Sequence, residues 1–128
     1  MWDASLVLAE FILERQWIVL EKSVIELGCG CSALPSIAAA ASGAAVCVAS
    51  DYDRSALELA RANAAANGAA ALETIVLDWR EPRLGGHPAF DVVLAADCVF
   101  ASSSAAPLLQ TLLLGAPETM LGHEPCSL

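Results

Sequence analysis

The sequence predicts an α/β fold in which helices cover a parallel sheet of about four strands. Short apolar runs alternate with longer segments of helical spacing, in the order helix, strand, helix, strand, helix, strand, loop, strand, helix. Helical crossovers between successive strands place those strands parallel in one sheet. A tight glycine turn follows the first strand, and every strand ends in or beside a carboxylate. Parallel sheets bind ligands outside the carboxyl ends of their strands, so this edge is the expected site.

Length and charge limit the classes of function. The 128 residues fit one domain, which we place at residues 1–114 and follow with an irregular tail at residues 115–128. The net charge of −9 argues against nucleic-acid binding through a basic patch and suits a basic or cationic partner. No apolar run approaches the ~20 residues that a membrane helix needs. We therefore expect neither a nucleic-acid nor a membrane partner.

The cysteines and the first residues indicate an intracellular protein. Five cysteines are an odd number, and most fall in segments predicted to be buried, which favours reduced thiols. Asp3 and Glu10 interrupt the apolar residues of the first segment, which is not typical of a secretion signal. We expect a cytoplasmic location, with the nucleus as the alternative. Cys29 and Cys31 lack a second pair at zinc-ligand spacing, so no metal site is predicted.

The first segment, residues 2–20, has the spacing of a helix. One predicted face packs on the sheet and consists of Leu6, Ala9, Leu13, Trp17 and Leu20. Trp2 lies ahead of this helix, where its side chain can project over a neighbouring pocket.

The remaining elements follow from apolar runs and from the residues that end them. Continuous apolar runs predict strands that are buried on both faces, and glycine or proline marks the helix ends. We predict strands at residues 24–27, 45–50, 72–77 and 90–96, and helices at residues 35–42, 54–67 and 103–114.

Four carboxylates converge on one edge if the strands are parallel. They are Glu26, Asp51, Asp78 and Asp97, each at or near the end of a different strand. Any one of them is equally well explained as a helix cap or a solvated loop charge. Four at the same edge, with a glycine turn among them, indicate a binding site.

The spacing of Asp51 narrows the ligand to a nucleoside cofactor. It lies 21 residues beyond Gly30, close to the ~20 residues at which an acid on the second strand reaches ribose hydroxyls. This geometry suits NAD and S-adenosylmethionine equally. Glu26, two residues before Gly28, favours a cofactor with a cationic amino group and a sulfonium, because a pyrophosphate would be repelled.

These motifs resemble the class I, seven-β-strand S-adenosylmethionine-dependent methyltransferases, and within them the protein methyltransferases known as lysine methyltransferase family 16. The resemblance covers roughly residues 2–114. It rests on five features in this order: Trp2-Asp3-Ala4 with Leu6-Val7-Leu8-Ala9, Glu26-Leu27-Gly28-Cys29-Gly30, Asp51, Leu77-Asp78-Trp79, and the run from Phe90 to Phe100 that ends in Asp97-Cys98-Val99-Phe100.

The resemblance implies a Rossmann-like methyltransferase fold, S-adenosyl-L-methionine as cofactor and a protein side chain, above all lysine, as methyl acceptor. It assigns the cofactor to Trp2, Glu26, Gly28, Gly30, Asp51, Asp78 and Trp79. Glu26 and the two glycines would hold the methionine moiety, Asp51 the ribose, and Asp78 and Trp79 the adenine. Asp97 and Phe100 would lie beside the acceptor as catalytic residues, Asp97 orienting the amine and Phe100 forming a channel wall.

The sequence departs from the family pattern at two positions and in the number of strands. Ser32 replaces the third glycine of the turn, and Phe100 replaces a tyrosine. The family sheet has seven strands where about four are predicted here, so we expect a domain truncated on its C-terminal side. The alternatives are a non-catalytic remnant of the family that binds the cofactor or a partner, and an NAD-dependent Rossmann oxidoreductase.

Overall fold

The computed structural model describes residues 3–96, 98 and 102–115. Among these residues four parallel strands form one sheet in the order β3-β2-β1-β4. The strands are β1 (Ser23–Leu27), β2 (Val46–Asp51), β3 (Glu73–Val76) and β4 (Val92–Ala95), and the helices are α1 (Asp3–Glu14), α2 (Leu34–Ala41), α3 (Arg54–Ala66) and α4 (Ser102–Gly115). The predicted α/β class, the parallel direction and the four strands are confirmed.

Strand order reverses beside β1, which gives the sheet its ligand-binding edge. The chain moves outward from β1 through β2 to β3, and β4 then pairs on the other side of β1. β1 and β2 are in register from Ser23 with Val46 to Leu27 with Ser50, so their carboxyl ends lie together. A reversal of this kind opens a crevice at the carboxyl ends of the strands.

Helices cover both faces of the sheet with separate apolar clusters. One cluster joins α1, α2 and α3 to the sheet and is rich in alanine, including Ala38, Ala39 and Ala60. The other face packs Ile25, Phe90 and neighbouring residues against Leu108 of α4. Small side chains let α1, α2 and α3 approach the strands and one another closely. The burial of apolar area stabilises this packing.

The predicted buried face of the first helix is wrong except at Ala9. Leu13 and Trp17 are exposed, with 48% and 72% of their surface accessible, and α1 buries Ser5 and Ile12 together with Ala9. These buried residues are about one helical turn apart, on the face of α1 that packs against the alanine-rich α2. The helix also stops at Glu14, and a single 3-10 turn at Gln16–Ile18 carries the chain toward β1.

Two further observations concern the described helices. Within the described ranges, no helix combines the length and apolar character needed to cross a bilayer. α4 continues to Gly115, the first residue of the predicted tail, and the rest of that tail lies outside the described residues.

Candidate functional site

The turn between β1 and α2 depends on two glycines with left-handed backbone angles. Gly28 has φ +64° and Gly30 has φ +60°, which other L-residues adopt only with strain. A Cβ atom on Gly28 would lie 3.2 Å from Cys98 Sγ and 3.3 Å from Trp79 Cζ2. At Gly30 a Cβ would meet nothing within 4 Å. The first glycine therefore permits close packing, and the second leaves the backbone open to a ligand.

Asp51 ties the glycine turn to the loop after β2. Its Oδ2 atom accepts a hydrogen bond of 2.9 Å from the Gly30 N–H, and its Oδ1 atom accepts one of 3.0 Å from the Asp53 N–H. A carboxylate oxygen accepts more than one hydrogen bond, so both oxygens keep capacity for a ligand hydroxyl. The acid predicted to bind ribose hydroxyls is thus placed on the expected turn.

Two neighbours of Asp51 complete this loop. Asp53 is the N-cap of α3, as its position after the strand predicts, and accepts a bond of 2.8 Å from the Ser55 N–H. Tyr52 lies between the two acids with 76% of its surface exposed. We did not predict a role for Tyr52, although an aromatic residue directly after a strand-ending acid is the signal that could have identified it.

The loops enclose one open cavity at the carboxyl edge of the sheet. Its volume is about 720 Å³, within the range of small-molecule and cofactor sites. Its lining comes from the turn after every strand, from the start of α4, and from one residue each of α1 and α3. It includes Ser5, Gly28, Gly30, Asp51, Tyr52, Asp53, Ala56, Leu77, Asp78, Trp79, Arg80, Cys98, Ser103 and Ser104. Five of the seven residues predicted to bind the cofactor, Gly28, Gly30, Asp51, Asp78 and Trp79, lie on this lining.

Asp78 and Trp79 meet the cavity differently. Trp79 packs its ring against the glycine turn and forms an apolar wall. The Asp78 carboxylate is paired with Arg80, through Nε at 3.0 Å and Nη2 at 2.7 Å. These hydrogen bonds lower the pKa of Asp78 to about 2. A ligand that uses Asp78 as an acceptor therefore competes or shares with an arginine from the same loop.

Glu26 lies beneath the glycine turn and does not line the cavity. It is 1% exposed, and its Oε2 atom accepts hydrogen bonds from both the N–H and the hydroxyl of Ser36. Burial raises the pKa of Glu26 to about 7, against the lowering effect of the Ser36 hydrogen bonds, and the nearby Asp51 charge raises it further. The structure thus bonds this β1 acid to the first turn of α2, beneath the cavity.

The buried thiols near the turn are suited to packing and not to nucleophilic chemistry. Burial, with the charge of Glu26 second, raises the pKa of Cys29 far above its usual range and that of Cys47 to about 12. Both thiols are therefore un-ionised at neutral pH. Across the described part of the chain, no three His, Cys, Asp or Glu side chains form a cluster that could hold a metal ion.

The wall opposite Asp51 comes from the end of β4 and from α4. Cys98 approaches the turn from the β4 side, and its Sγ lies 3.2 Å from the Leu27 carbonyl oxygen. Ser103, Ser104 and Pro107 of α4 complete this wall. None of these four was predicted as a site residue. The predicted residues Trp2, Asp97 and Phe100 lie outside the described residues.

Charge on the cavity favours a cationic ligand. Three carboxylates line it, from Asp51, Asp53 and Asp78, and the guanidinium of Arg80 is held by Asp78. Among the described lining residues, this arginine is the only basic side chain, and its pairing offsets one of the three negative charges. The remaining acidity attracts cations and disfavours a pyrophosphate.

Comparison with known proteins relates this chain to methyltransferases. A family model described as "Lysine methyltransferase" matches residues 1–121. The chain is 30% identical over 115 residues to histone-arginine methyltransferase METTL23 of Xenopus laevis, covering 88% of this chain and 49% of that protein. It is 31% identical over 121 residues to protein-lysine N-methyltransferase EFM3 of Chaetomium thermophilum, covering 87% of this chain and 36% of that protein.

A solved structure shares the fold. The ribosomal protein L11 methylase of Lactobacillus delbrueckii subsp. bulgaricus superposes with a TM-score of 0.67 at 25% identity, covering 87% of this chain and 53% of the other. The chain therefore spans about half or less of the length of the curated relatives it matches.

Proposed function

The chain belongs to the lysine methyltransferase family, whose cofactor is S-adenosyl-L-methionine, and we propose from this premise that it transfers a methyl group from that cofactor to a protein side-chain nitrogen, lysine first. The observation that carries the proposal is the Asp51 carboxylate, which bridges the Gly30 and Asp53 N–H groups at the edge of an acidic cavity. A vicinal diol hydrogen-bonds readily to such a fixed carboxylate.

The residues of the cavity fit this cofactor. The open space over Gly30 lets a ligand approach the backbone, and Asp51 has both oxygens oriented by the chain. In our proposal Gly28 and Gly30 hold the methionine moiety, Asp51 holds the ribose hydroxyls, and Trp79 forms an apolar wall for the adenine. Tyr52, exposed at the same edge, supplies a second aromatic surface.

Positioning is the main contribution that this chain makes to catalysis. The cofactor supplies a methyl group on a cationic sulfur, which is already electrophilic. The acceptor nitrogen has to be neutral and aligned, and alignment of two reactants is worth several kcal/mol of barrier. An apolar, water-excluding wall favours the neutral amine by raising the cost of its charged form. Asp97 and Phe100 remain predictions for the acceptor side.

Two features support a protein acceptor with a cationic side chain. The net charge of −9 and the carboxylates on the cavity favour a basic segment. One similar relative is named for lysine and the other for histone arginine, so both nitrogens belong in the test. We place lysine first because the family description names it.

The alternative function is cofactor binding without methyl transfer, which needs only the cofactor edge that the described residues form. The matched region covers 49% and 36% of the two curated relatives, and it includes the cofactor edge described above.

Calorimetry followed by a transfer assay tests both functions. The purified chain is titrated with S-adenosylmethionine and with NAD, and the titration is repeated with an Asp51→Ala variant. Labelled cofactor is then incubated with the chain and with matched peptides that carry lysine, or arginine at the same position. Binding that Asp51→Ala abolishes, together with label on the lysine peptide, is the expected result.

The other outcomes separate the alternatives. Label on the arginine peptide alone would identify arginine, in place of lysine, as the methyl acceptor. Binding without label on either peptide favours the cofactor-binding function. The proposal is contradicted if the titration with S-adenosylmethionine shows no heat of binding, or if NAD binds more tightly than S-adenosylmethionine.

A further inference from the structure

Glu26 is a buried acid that supports the cofactor edge without lining it. Its side chain is 1% exposed and hydrogen-bonds to Ser36, whose side chain is fully buried. Burying a carboxylate costs free energy unless a charge or several donors compensate. A neutral glutamine of the same shape would avoid this cost, so the acid needs a physical reason beyond packing.

We propose that Glu26 is a positioning residue, which fixes the glycine turn through Ser36 and the first turn of α2 and so prepares the cofactor site without touching the cofactor. The proposal rests on the proposed function for the identity of the ligand. It differs from the direct contact with the methionine moiety that the sequence predicts for this acid.

The Glu26–Ser36 contact closes the segment that forms the cofactor turn. Glu26 is on β1 and Ser36 is on α2, and between them lie Gly28, Gly30 and Ala33, all with positive φ angles. Ala33 has φ 45°, which is strained for a residue with a Cβ atom. Strained positions of this kind persist only where the surroundings fix them. The hydrogen bonds at the base of the turn provide that constraint.

Both ends of this contact are themselves anchored to β2. The Ser50 hydroxyl donates to the Glu26 carbonyl oxygen at 2.7 Å, and the Cys47 thiol donates to the Ser36 carbonyl oxygen at 3.2 Å. Displacement of Ser36 would therefore disturb a network of four buried groups. Such networks hold one geometry when every member is bonded.

The charge of Glu26 links this geometry to pH. The titratable groups that face it are Asp51 and Cys47 on β2 and Cys29 on the turn, with the Ser36 hydroxyl on α2. No described lysine, arginine or histidine contributes to its pKa. A cationic ligand bound over the turn would favour the ionised form, so ligand binding and loss of a proton are coupled.

The test compares three variants with a matched control. Ser36→Ala removes the hydroxyl donor, Glu26→Gln removes the charge, and the double variant removes both. Ser42→Ala is the control, because Ser42 is a buried serine at the other end of α2 whose hydroxyl has no partner among the described residues. Dissociation constants for S-adenosylmethionine are measured at pH 6, 7 and 8.

We expect the affinity of the wild-type chain to rise roughly fivefold from pH 6 to pH 8, which corresponds to a fall of about one unit in the pKa of Glu26, from about 7, when the cofactor binds. Glu26→Gln should bind more weakly and show no such rise. Ser36→Ala should bind roughly tenfold more weakly, as loss of a charge-assisted hydrogen bond implies. The double variant should be no weaker than Glu26→Gln, because both changes act through one contact.

Two results overturn the proposal. In one, Ser36→Ala binds as the wild type does while Glu26→Gln loses affinity, which indicates direct contact of the acid with the cofactor. In the other, the pH profile of Glu26→Gln matches that of the wild type.

Hydrogen exchange of the free chain separates this proposal from the proposed function. We expect faster exchange at residues 27–35 in Glu26→Gln and Ser36→Ala than in Ser42→Ala. If the wild-type chain does not bind the cofactor, the proposed function fails, and exchange at these residues still decides the positioning role. Unchanged exchange in both variants contradicts it.

Discussion

The strongest stability prediction concerns the pH dependence contributed by Glu26. Burial raises the pKa of this acid from 4.5 to about 7, so the folded chain binds more protons than the unfolded chain between those values. Stability from this group is therefore fully present below the unfolded pKa and is lost as the pH rises. The loss is complete once the pH exceeds the folded pKa.

The size of the effect follows from the shift. A change from 4.5 to about 7 corresponds to about 3 kcal/mol at 1.36 kcal/mol per pKa unit. Roughly 2 kcal/mol of this loss falls between pH 5.5 and pH 8, a range that lies above the isoelectric point of about 4.4. This is a large part of the ~5–15 kcal/mol that stabilises a domain.

Urea unfolding at pH 5.5, 6.5, 7.5 and 8 measures this slope. The wild-type chain and Glu26→Gln are compared, with Glu58→Gln on the exposed surface of α3 as the control for removing one negative charge. We expect the difference in unfolding free energy, Glu26→Gln minus wild type, to increase by about 2 kcal/mol across this range. Parallel curves for the two chains would refute the reasoning, because they would mean that Glu26 is ionised at pH 5.5 in the fold.

Three further predictions concern the site and its support. Gly28→Ala should abolish cofactor binding, because its Cβ atom would lie 3.3 Å from Trp79 Cζ2 at a φ of +64°. The control is Gly68→Ala, at a φ of +76° with open space around it. It should keep cofactor binding and lose only ~1 kcal/mol of unfolding free energy to backbone strain, measured by urea unfolding. Asp51→Asn should weaken S-adenosylmethionine binding by roughly 10- to 100-fold in calorimetry, because its hydrogen bonds lose their ionic character, and an unchanged dissociation constant would contradict that role. Asp91→Asn should lower the melting temperature at pH 7, because Asp91 accepts hydrogen bonds of 2.9 and 3.1 Å from the Ser23 N–H and hydroxyl, which hold its pKa down. The difference in melting temperature should shrink as the pH falls below about 4. Equal melting temperatures of the two chains at pH 7 would contradict this stabilising role of Asp91.

Local sequence signals were sufficient for the fold class and for the cofactor edge. Glycines at Gly28 and Gly30 need positive φ angles wherever a strand turns sharply into a helix, and the structure has both. Asp51 ends a continuous apolar run, which fixes its place at the carboxyl end of a buried strand. Each of these predictions depends on a few adjacent residues and on the direction of one strand.

Predictions that depend on distant partners were less successful. Trp17 has helical spacing with Leu13, but the contact with the alanine-rich surface of α2 is made by another face of α1, which includes Ile12. The side chain of Glu26 could not be placed from spacing alone, because Ser36 lies on another element ten residues away. The same is true of Cys98, which reaches the turn only because β4 pairs beside β1.

The position of Glu26 connects the stability of the fold to its proposed chemistry. An acid that costs free energy when ionised at pH 7 stands where a neutral side chain would pack as well, and its hydrogen bonds close a segment with three positive φ angles at the edge of the cavity. Destabilised groups of this kind are expected at binding sites, because a ligand that compensates the charge gains the free energy that folding gave up. A cationic cofactor over the turn would make that compensation, whereas a pyrophosphate would add to the repulsion. The burial of Glu26 is therefore an independent physical reason to favour S-adenosylmethionine over NAD at this edge.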